Sequence, residues 1–331
     1  LNKKEVAMRA YQVPEIDIPP AFVECEKPEP NVGETRVKIA CCGLNFADLL
    51  MQKGQYQDTP PAPFTLGMEI AGTIDTHGAG VSGPKAGTRV AVFGGQGGLA
   101  EYGCYDARIV LPIPDAMSMA EAAAFQIAYG TSHLALGYRA KLKPGETLLV
   151  LGAAGGVGLT AVEIGKLMGA TVIAVARGAD KLEVARKAGA DHLIEADVDD
   201  LRGELKVLGG VDVVYDPVGG DLFKAAFRAC KPEARILTIG FASGDVPKVP
   251  ANHLLVKNID VLGFYWGGYL KFKPEIVTDS LRELFDWYEK GKLKPHVSHL
   301  LPFEQAADGM ELLRARKSTG KVVIEVTPQE A

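Results

Sequence analysis

The 331-residue chain is 47% hydrophobic and 23% charged, an ordinary globular balance with length enough for two domains. A formal net charge of -5 argues against a nucleic-acid or membrane-surface partner. No run approaches the roughly 18 apolar residues of a membrane span, and the N-terminus lacks a signal-peptide pattern. The five scattered cysteines suit a reducing cytoplasm rather than a disulfide framework.

Leu1 to Ala7, which precedes Met8, is set aside from the fold reasoning. From Met8 to about Ile113 the chain reads as mostly β. Val37-Lys-Ile-Ala-Cys41 and Arg89-Val-Ala-Val-Phe93 are strand-like, divided by turns such as Glu29-Pro-Asn-Val-Gly33 and Gly83-Pro-Lys-Ala-Gly87. These elements predict a partly open barrel. From about Ala120 strands and helices alternate. Leu148 to Leu151 is an apolar run of the parallel-strand type. It ends in Gly152, Gly155, Gly156 and Gly158, which open a helix predicted over Leu159 to Met168 and stopped by Gly169. A strand from Thr171 to Ala176 completes a βαβ unit. A glycine turn in that setting approaches a pyrophosphate and offers it the bare amides of a helix start. The first glycine of the GxGxxG pattern is replaced, giving Ala153-x-Gly155-x-x-Gly158.

Further elements follow: a helix from Asp180, read as its cap, to Lys187; strands at His192 to Glu195, Val211 to Tyr215, Arg235 to Gly240 and Ile259 to Tyr265; helices at Asp221 to Cys230 and Pro274 to Lys290. Six strands with intervening helices predict a doubly wound nucleotide fold that binds at the carboxyl ends of its strands. Val297 to Val326 returns to strand–helix–strand, as a segment rejoining the first domain would. NAD-specific folds place a carboxylate about twenty residues after the glycine turn. Ala176 stands there, followed by Arg177 and, one turn on, Lys181. Loss of the carboxylate and gain of a guanidinium favour NADP(H). For Lys181 a solvated helix position is the alternative.

Five stretches together resemble a known family: Cys42-Gly-Leu-Asn-Phe-Ala-Asp48, Pro63-Phe-Thr-Leu-Gly-Met-Glu69, Gly98-Leu-Ala-Glu-Tyr102, Gly152-Ala-Ala-Gly-Gly-Val-Gly158 and Ala315-Arg-Lys-Ser-Thr-Gly-Lys-Val-Val323. In this order they resemble the zinc-free quinone oxidoreductase (zeta-crystallin-like) branch of the medium-chain dehydrogenases/reductases, from Met8 to Val326. The resemblance implies an α/β protein: a GroES-like β-barrel catalytic domain (8–122, rejoined by 292–331) and a doubly wound Rossmann NADP-binding domain (123–291), with the active site in the cleft. Alcohol dehydrogenases of the superfamily bind zinc through a Cys and a His where this chain has Asn45 and Met68, and neither replacement suits the metal. The four-Cys structural lobe is absent between Gly94 and Cys104. His296 and His299, the nearest histidine pair, would point to opposite faces of a strand. No metal site is expected.

The resemblance further implies that Asn45 and Tyr56 face the nicotinamide, with Thr131 nearby. Asn45 would bond the nicotinamide ribose or the substrate carbonyl, or merely close an Asx turn. Tyr56 would donate to a developing oxyanion, or be an ordinary half-buried tyrosine; Thr131 has a cap or backbone bond as its alternative. Ala154, Gly155, Gly156, Val157 and Gly158 would hold the pyrophosphate. Gly240, Phe241, Ala242, Phe264 and Tyr265 would contact ribose and carboxamide, and Lys321 would approach the cofactor or lie on the surface. Some relatives carry a tyrosine where this chain has Ala196. The implied activity is NADPH-dependent, zinc-independent reduction of a quinone or other conjugated carbonyl by a cytoplasmic enzyme. Alternatives are a 2-enoyl thioester reductase on the same fold, or a non-catalytic NADPH-binding sensor, structural or RNA-binding protein. A homodimer through the sixth Rossmann strand, Asn258 to Phe264, is also implied.

Overall fold

The computed structural model describes residues 7–328; residues 1–6, most of the N-terminal stretch set aside above, lie outside the described residues. The described residues divide into two compact units, one formed by residues 7–127 and 295–328, the other by residues 128–294.

The first unit is the GroES-like part. Its main sheet runs in the order Val297–Pro302, Lys321–Glu325, Glu34–Gly43, Glu69–His77, Arg89–Phe93, Val110–Pro112, with Tyr102–Asp106 also paired to Glu34–Gly43. Gly43 sits beside Val323 on one side and beside Glu69 on the other. Segments more than two hundred residues apart in sequence therefore meet at one point of the sheet. No side chain fits there, because a Cβ on Gly43 would lie 2.1 Å from the Ala123 carbonyl oxygen. The core is built from Val37, Ile39, Leu66, Ile70, Val90, Val92, Val322 and Ile324, all buried.

The second unit is the Rossmann part. Its strands are β1 (Thr147–Leu151), β2 (Thr171–Ala176), β3 (His192–Glu195), β4 (Val211–Asp216), β5 (Cys230–Thr238) and β6 (Asp260–Gly263). They pair in parallel in the order β3-β2-β1-β4-β5-β6. Register brings Leu151 beside Val175, Ala176 beside Glu195, Asp216 beside Thr238 and Thr238 beside Gly263. One edge of the sheet thus carries every strand end from which a nucleotide-binding loop departs.

Several boundaries differ from the sequence reading. Helix α1 covers Gly156–Leu167 and so begins inside the glycine turn, three residues earlier than the apolar periodicity suggested. Gly169 follows with φ 83°, the left-handed residue that ends it. Helix α2 covers Ala179–Lys187, and its cap position is Gly178, not Asp180. Gly178 has φ 87°, a conformation closed to aspartate at ordinary cost, while Asp180 lies within the first turn where its charge suits the helix dipole. Strand β6 stops at Gly263, the Phe264 N–H giving the last bond of the ladder to the Thr238 carbonyl before the helix Trp266–Phe272 begins. Helices at Leu201–Val207, Ala251–Lys257 and Trp266–Phe272 were not anticipated. Among the described residues no helix is long and apolar enough to cross a membrane.

Candidate active site

The nucleotide end of the site is built by the turn after β1. Gly152 adopts φ 62° and lets the chain reverse immediately after the strand. Gly158 packs so closely that a Cβ there would lie 2.2 Å from the Gly152 carbonyl oxygen. Gly155 is different: it is exposed, and a Cβ there would meet only that same oxygen, at 3.4 Å. No side chain caps the start of α1 at Gly155. The twelve-residue helix therefore presents the backbone amides of its first turn, Gly156, Val157 and Gly158, with its positive dipole end to an anion. Ala154, buried, lines the same turn. These features fit a dinucleotide pyrophosphate.

Polar contacts behind the turn hold it in place. Ser132 Oγ donates to Val157 O at 3.0 Å and is bonded to Thr160 Oγ1 at 2.8 Å and to the buried Tyr215 hydroxyl at 3.0 Å. Thr131, beside Ser132, is 6% exposed and lies inside the helix Gln126–His133, so it is no helix cap. Asp216, at the end of β4, accepts from Val218 N and Gly219 N, both at 2.8 Å. Burial holds its carboxyl above the usual range, against the pull of those amides. Its backbone carbonyl receives Gly240 N at 3.3 Å, and Pro217 O receives Ala242 N at 3.0 Å. Among the described residues, no internal acceptor takes the Phe241 N–H between them. Phe264 is buried and Tyr265 is the N-cap of the helix Trp266–Phe272. At the outer strands Arg177 is exposed and paired with Asp197, and Lys181 is half-buried on α2.

In the first unit the structure draws Asn45, Glu69 and Lys321 into one cluster. Lys321 Nζ donates to Asn45 Oδ1 and to Glu69 Oε1, each at 2.7 Å. Asn45 Nδ2 donates to Glu69 Oε1 at 3.0 Å and to Gly43 O at 3.2 Å. Glu69 Oε2 accepts Ile127 N at 2.9 Å. Because an ammonium only donates, Lys321 fixes which end of the Asn45 amide is oxygen. Both amide hydrogens are then spent inside the protein. The Asn45 side chain therefore cannot donate to a substrate carbonyl, and its oxygen can only accept. Asn45 also has a local role, as the N-cap of the helix Phe46–Gln52 in a capping box with Asp48. Lys321 is 6% exposed, so the surface alternative for it is removed. Its third N–H is left for a ligand. Tyr56 is half-buried against the barrel core.

Asp48 lies beneath this cluster and is wholly buried, its carboxylate accepting Asn45 N at 2.8 Å and Gly67 N at 3.1 Å. Burial pushes its pKa up to about 6, with the two amides and Lys321 pulling back. Over the interval from about 4 to 6 the folded chain holds a proton that the unfolded chain has released, so this group's contribution to stability falls as pH rises. Relative to Asp48→Asn, the parent is expected to lose stability between about pH 4.5 and 6.5, checked by urea midpoints at the two values.

A zinc ion, as held by the superfamily's alcohol dehydrogenases, does not fit these residues. The donors available are an amide already engaged and the thioether of Met68, and a cation, Lys321, is seated between Asn45 and Glu69. His296 bonds Thr319 and His299 bonds Ser298. Among the described residues no three His, Cys, Asp or Glu side chains gather as metal ligands.

Sequence reasoning gave Glu69 a structural part only, and missed Asp216 and Ser132 as site-builders. It also missed Gln126, 1% exposed, whose Nε2 has no hydrogen-bond partner among the described residues.

Comparison with known proteins agrees with this architecture. Residues 31–115 match the family described as "Alcohol dehydrogenase GroES-like domain", and residues 156–287 match "Zinc-binding dehydrogenase". Quinone oxidoreductase-like protein 2 of Bos taurus is 39% identical over 312 residues, 93% of this chain and 89% of that protein. The synaptic vesicle membrane protein VAT-1 homolog of Homo sapiens is 35% identical over 321 residues, 92% of this chain and 81% of that protein. Among solved structures, the quinone oxidoreductase of Thermus thermophilus, also crystallised with NADPH, superposes with a TM-score of 0.85 at 31% identity, covering 96% of this chain and 100% of that one. Matched domains, sequence and fold agree that this chain belongs to the medium-chain dehydrogenase/reductase superfamily, in its quinone oxidoreductase family.

Proposed function

We propose that the protein is an NADPH-dependent reductase of quinones or other conjugated carbonyls that works without zinc. The observation that carries this reading is the Asn45–Lys321–Glu69 cluster, in which the chain's own ammonium is bonded to Asn45, the residue standing where the alcohol dehydrogenases have a zinc-binding Cys. Bound NADPH supplies the hydride. Hydride addition to a conjugated position leaves an enolate or phenolate, far less basic than an alkoxide, so hydrogen-bond donors can replace a Lewis acid. The α1 amides hold the pyrophosphate, with Ala154 and Gly155 shaping its approach. Gly240, Phe241, Ala242, Phe264 and Tyr265 contact the nicotinamide half through backbone groups. Asn45 accepts from a ribose hydroxyl, held in that orientation by Lys321. Tyr56 is the hydroxyl assigned to the developing oxyanion, with Thr131 near the nicotinamide.

Arg177 reads the 2′-phosphate, with Lys181 one turn further on. Arg177→Ala is expected to raise the Kd for NADPH about tenfold, the loss of one charge-assisted bond, and to leave NADH nearly unchanged. Titration of intrinsic fluorescence with each nucleotide checks this. The chain's own role in quinone reduction is tested by nicotinamide oxidation assays with a benzoquinone acceptor.

Two further assignments go with this reading. The free cysteines fit a cytoplasmic enzyme. A homodimer through β6 fits the open edge of that strand and the nearby Leu255 and Val256, each 79% exposed. Sedimentation at micromolar concentration should give a dimer; a monomer would remove this assignment.

A further inference from the structure

Glu195 closes β3, and its carboxylate is tied to the backbone rather than left to solvent. Gly178 N donates to both oxygens, at 3.0 and 2.9 Å, and Ala196 N donates to Oε1 at 3.0 Å. Gly178 caps the nine-residue helix α2, whose positive dipole end therefore faces this carboxylate. Two residues on, Asp197 Oδ2 lies 3.0 Å from Arg177 Nε, and both side chains are 63% exposed. The strand that reads the adenosine ribose in this fold, β2, ends in Ala176 and supplies no carboxylate. Parallel register sets Ala176 directly beside Glu195. The neighbouring strand thus delivers to the same edge the acidic group that β2 lacks.

We propose that Glu195 is a specificity-determining residue for the adenosine ribose, which deepens the NADPH reading and rests on it. Its carboxylate occupies the Gly178 amide that a 2′-phosphate would otherwise take, and it offers a lone pair to a 2′-hydroxyl. Asp197 meanwhile engages Nε of Arg177 and offsets its charge. The Gly178 amide and Arg177 Nε are each held by a carboxylate of the chain, so NADPH binds against the field of both Glu195 and Asp197. The margin of NADPH over NADH is therefore narrow, and these two acids set it.

The test is equilibrium binding of NADPH, NADH, adenosine 2′,5′-bisphosphate and 5′-AMP to the parent, Glu195→Gln and Asp197→Asn, alongside thermal melting. Glutamine keeps one oxygen for Gly178 while removing the charge. Glu195→Gln is expected to tighten NADPH and the bisphosphate about five- to tenfold, and to weaken NADH and 5′-AMP, which both carry the free 2′-hydroxyl. Asp197→Asn, on an exposed side chain, is expected to tighten the phosphorylated pair about threefold. If both variants keep the parent's NADPH-to-NADH ratio within about twofold, the role given to Glu195 is wrong. A parent that binds neither dinucleotide would instead defeat the cofactor reading itself.

Discussion

Replacing Lys321 with methionine is expected to cost about 3–5 kcal/mol, because it leaves the carboxylate of Glu69 buried without its counter-charge. Glu69 has no exposed side-chain surface and Lys321 only 7%. Its other partners, Asn45 Nδ2 and Ile127 N, supply hydrogen bonds but no charge. The Lys321→Met, Glu69→Gln double variant should regain most of the loss, since removing both members of a buried pair is far cheaper than orphaning one. Urea midpoints at unchanged slope measure both. A single variant within about 1 kcal/mol of the parent would show that the pair is not what holds this point of the sheet together.

The second large effect separates two glycines of one turn. Gly155→Ala meets no backbone obstacle closer than 3.4 Å, and the φ of −77° suits alanine. The variant should fold and melt like the parent. Its methyl group, however, stands where the backbone must approach the pyrophosphate. Loss of one or two charge-assisted amide bonds raises the Kd for NADPH about 10- to 100-fold. Gly158→Ala drives a methyl to 2.2 Å from the Gly152 carbonyl oxygen, between helix and strand. It should destabilise the second unit by about 1–3 kcal/mol whether or not nucleotide is present. If Gly155→Ala bound NADPH as well as the parent, the turn would not be the pyrophosphate site.

The Rossmann strands were legible because burial on both faces leaves nothing polar in Leu148 to Leu151 or Val172 to Ala176. The glycine turn was legible because its residues serve a local geometry. Asp180 misled as a cap because side-chain chemistry was weighed and backbone conformation was not; Gly178, at φ 87°, makes the entry. The helix Leu201–Val207 carried a readable signal that was passed over, Asp200, whose side chain accepts Gly203 N at 2.8 Å. The Asn45–Glu69–Lys321 cluster could not be read at all in one dimension. It depends on the pairing of Gly43 with both Glu69 and Val323, a register set by the sheet as a whole. Glu195 was hidden in the same way, since only the Ala176–Glu195 pairing reveals that one strand supplies what its neighbour omits.

The most direct test is the loss of reduced-nicotinamide absorbance with NADPH and a simple benzoquinone, run with and without a strong chelator. The expected result is turnover that the chelator does not change and that Arg177→Ala slows at low NADPH. Turnover that the chelator abolishes and zinc restores would contradict the part given to Lys321. NADPH binding with no reduction of quinones or enones would contradict the proposed activity.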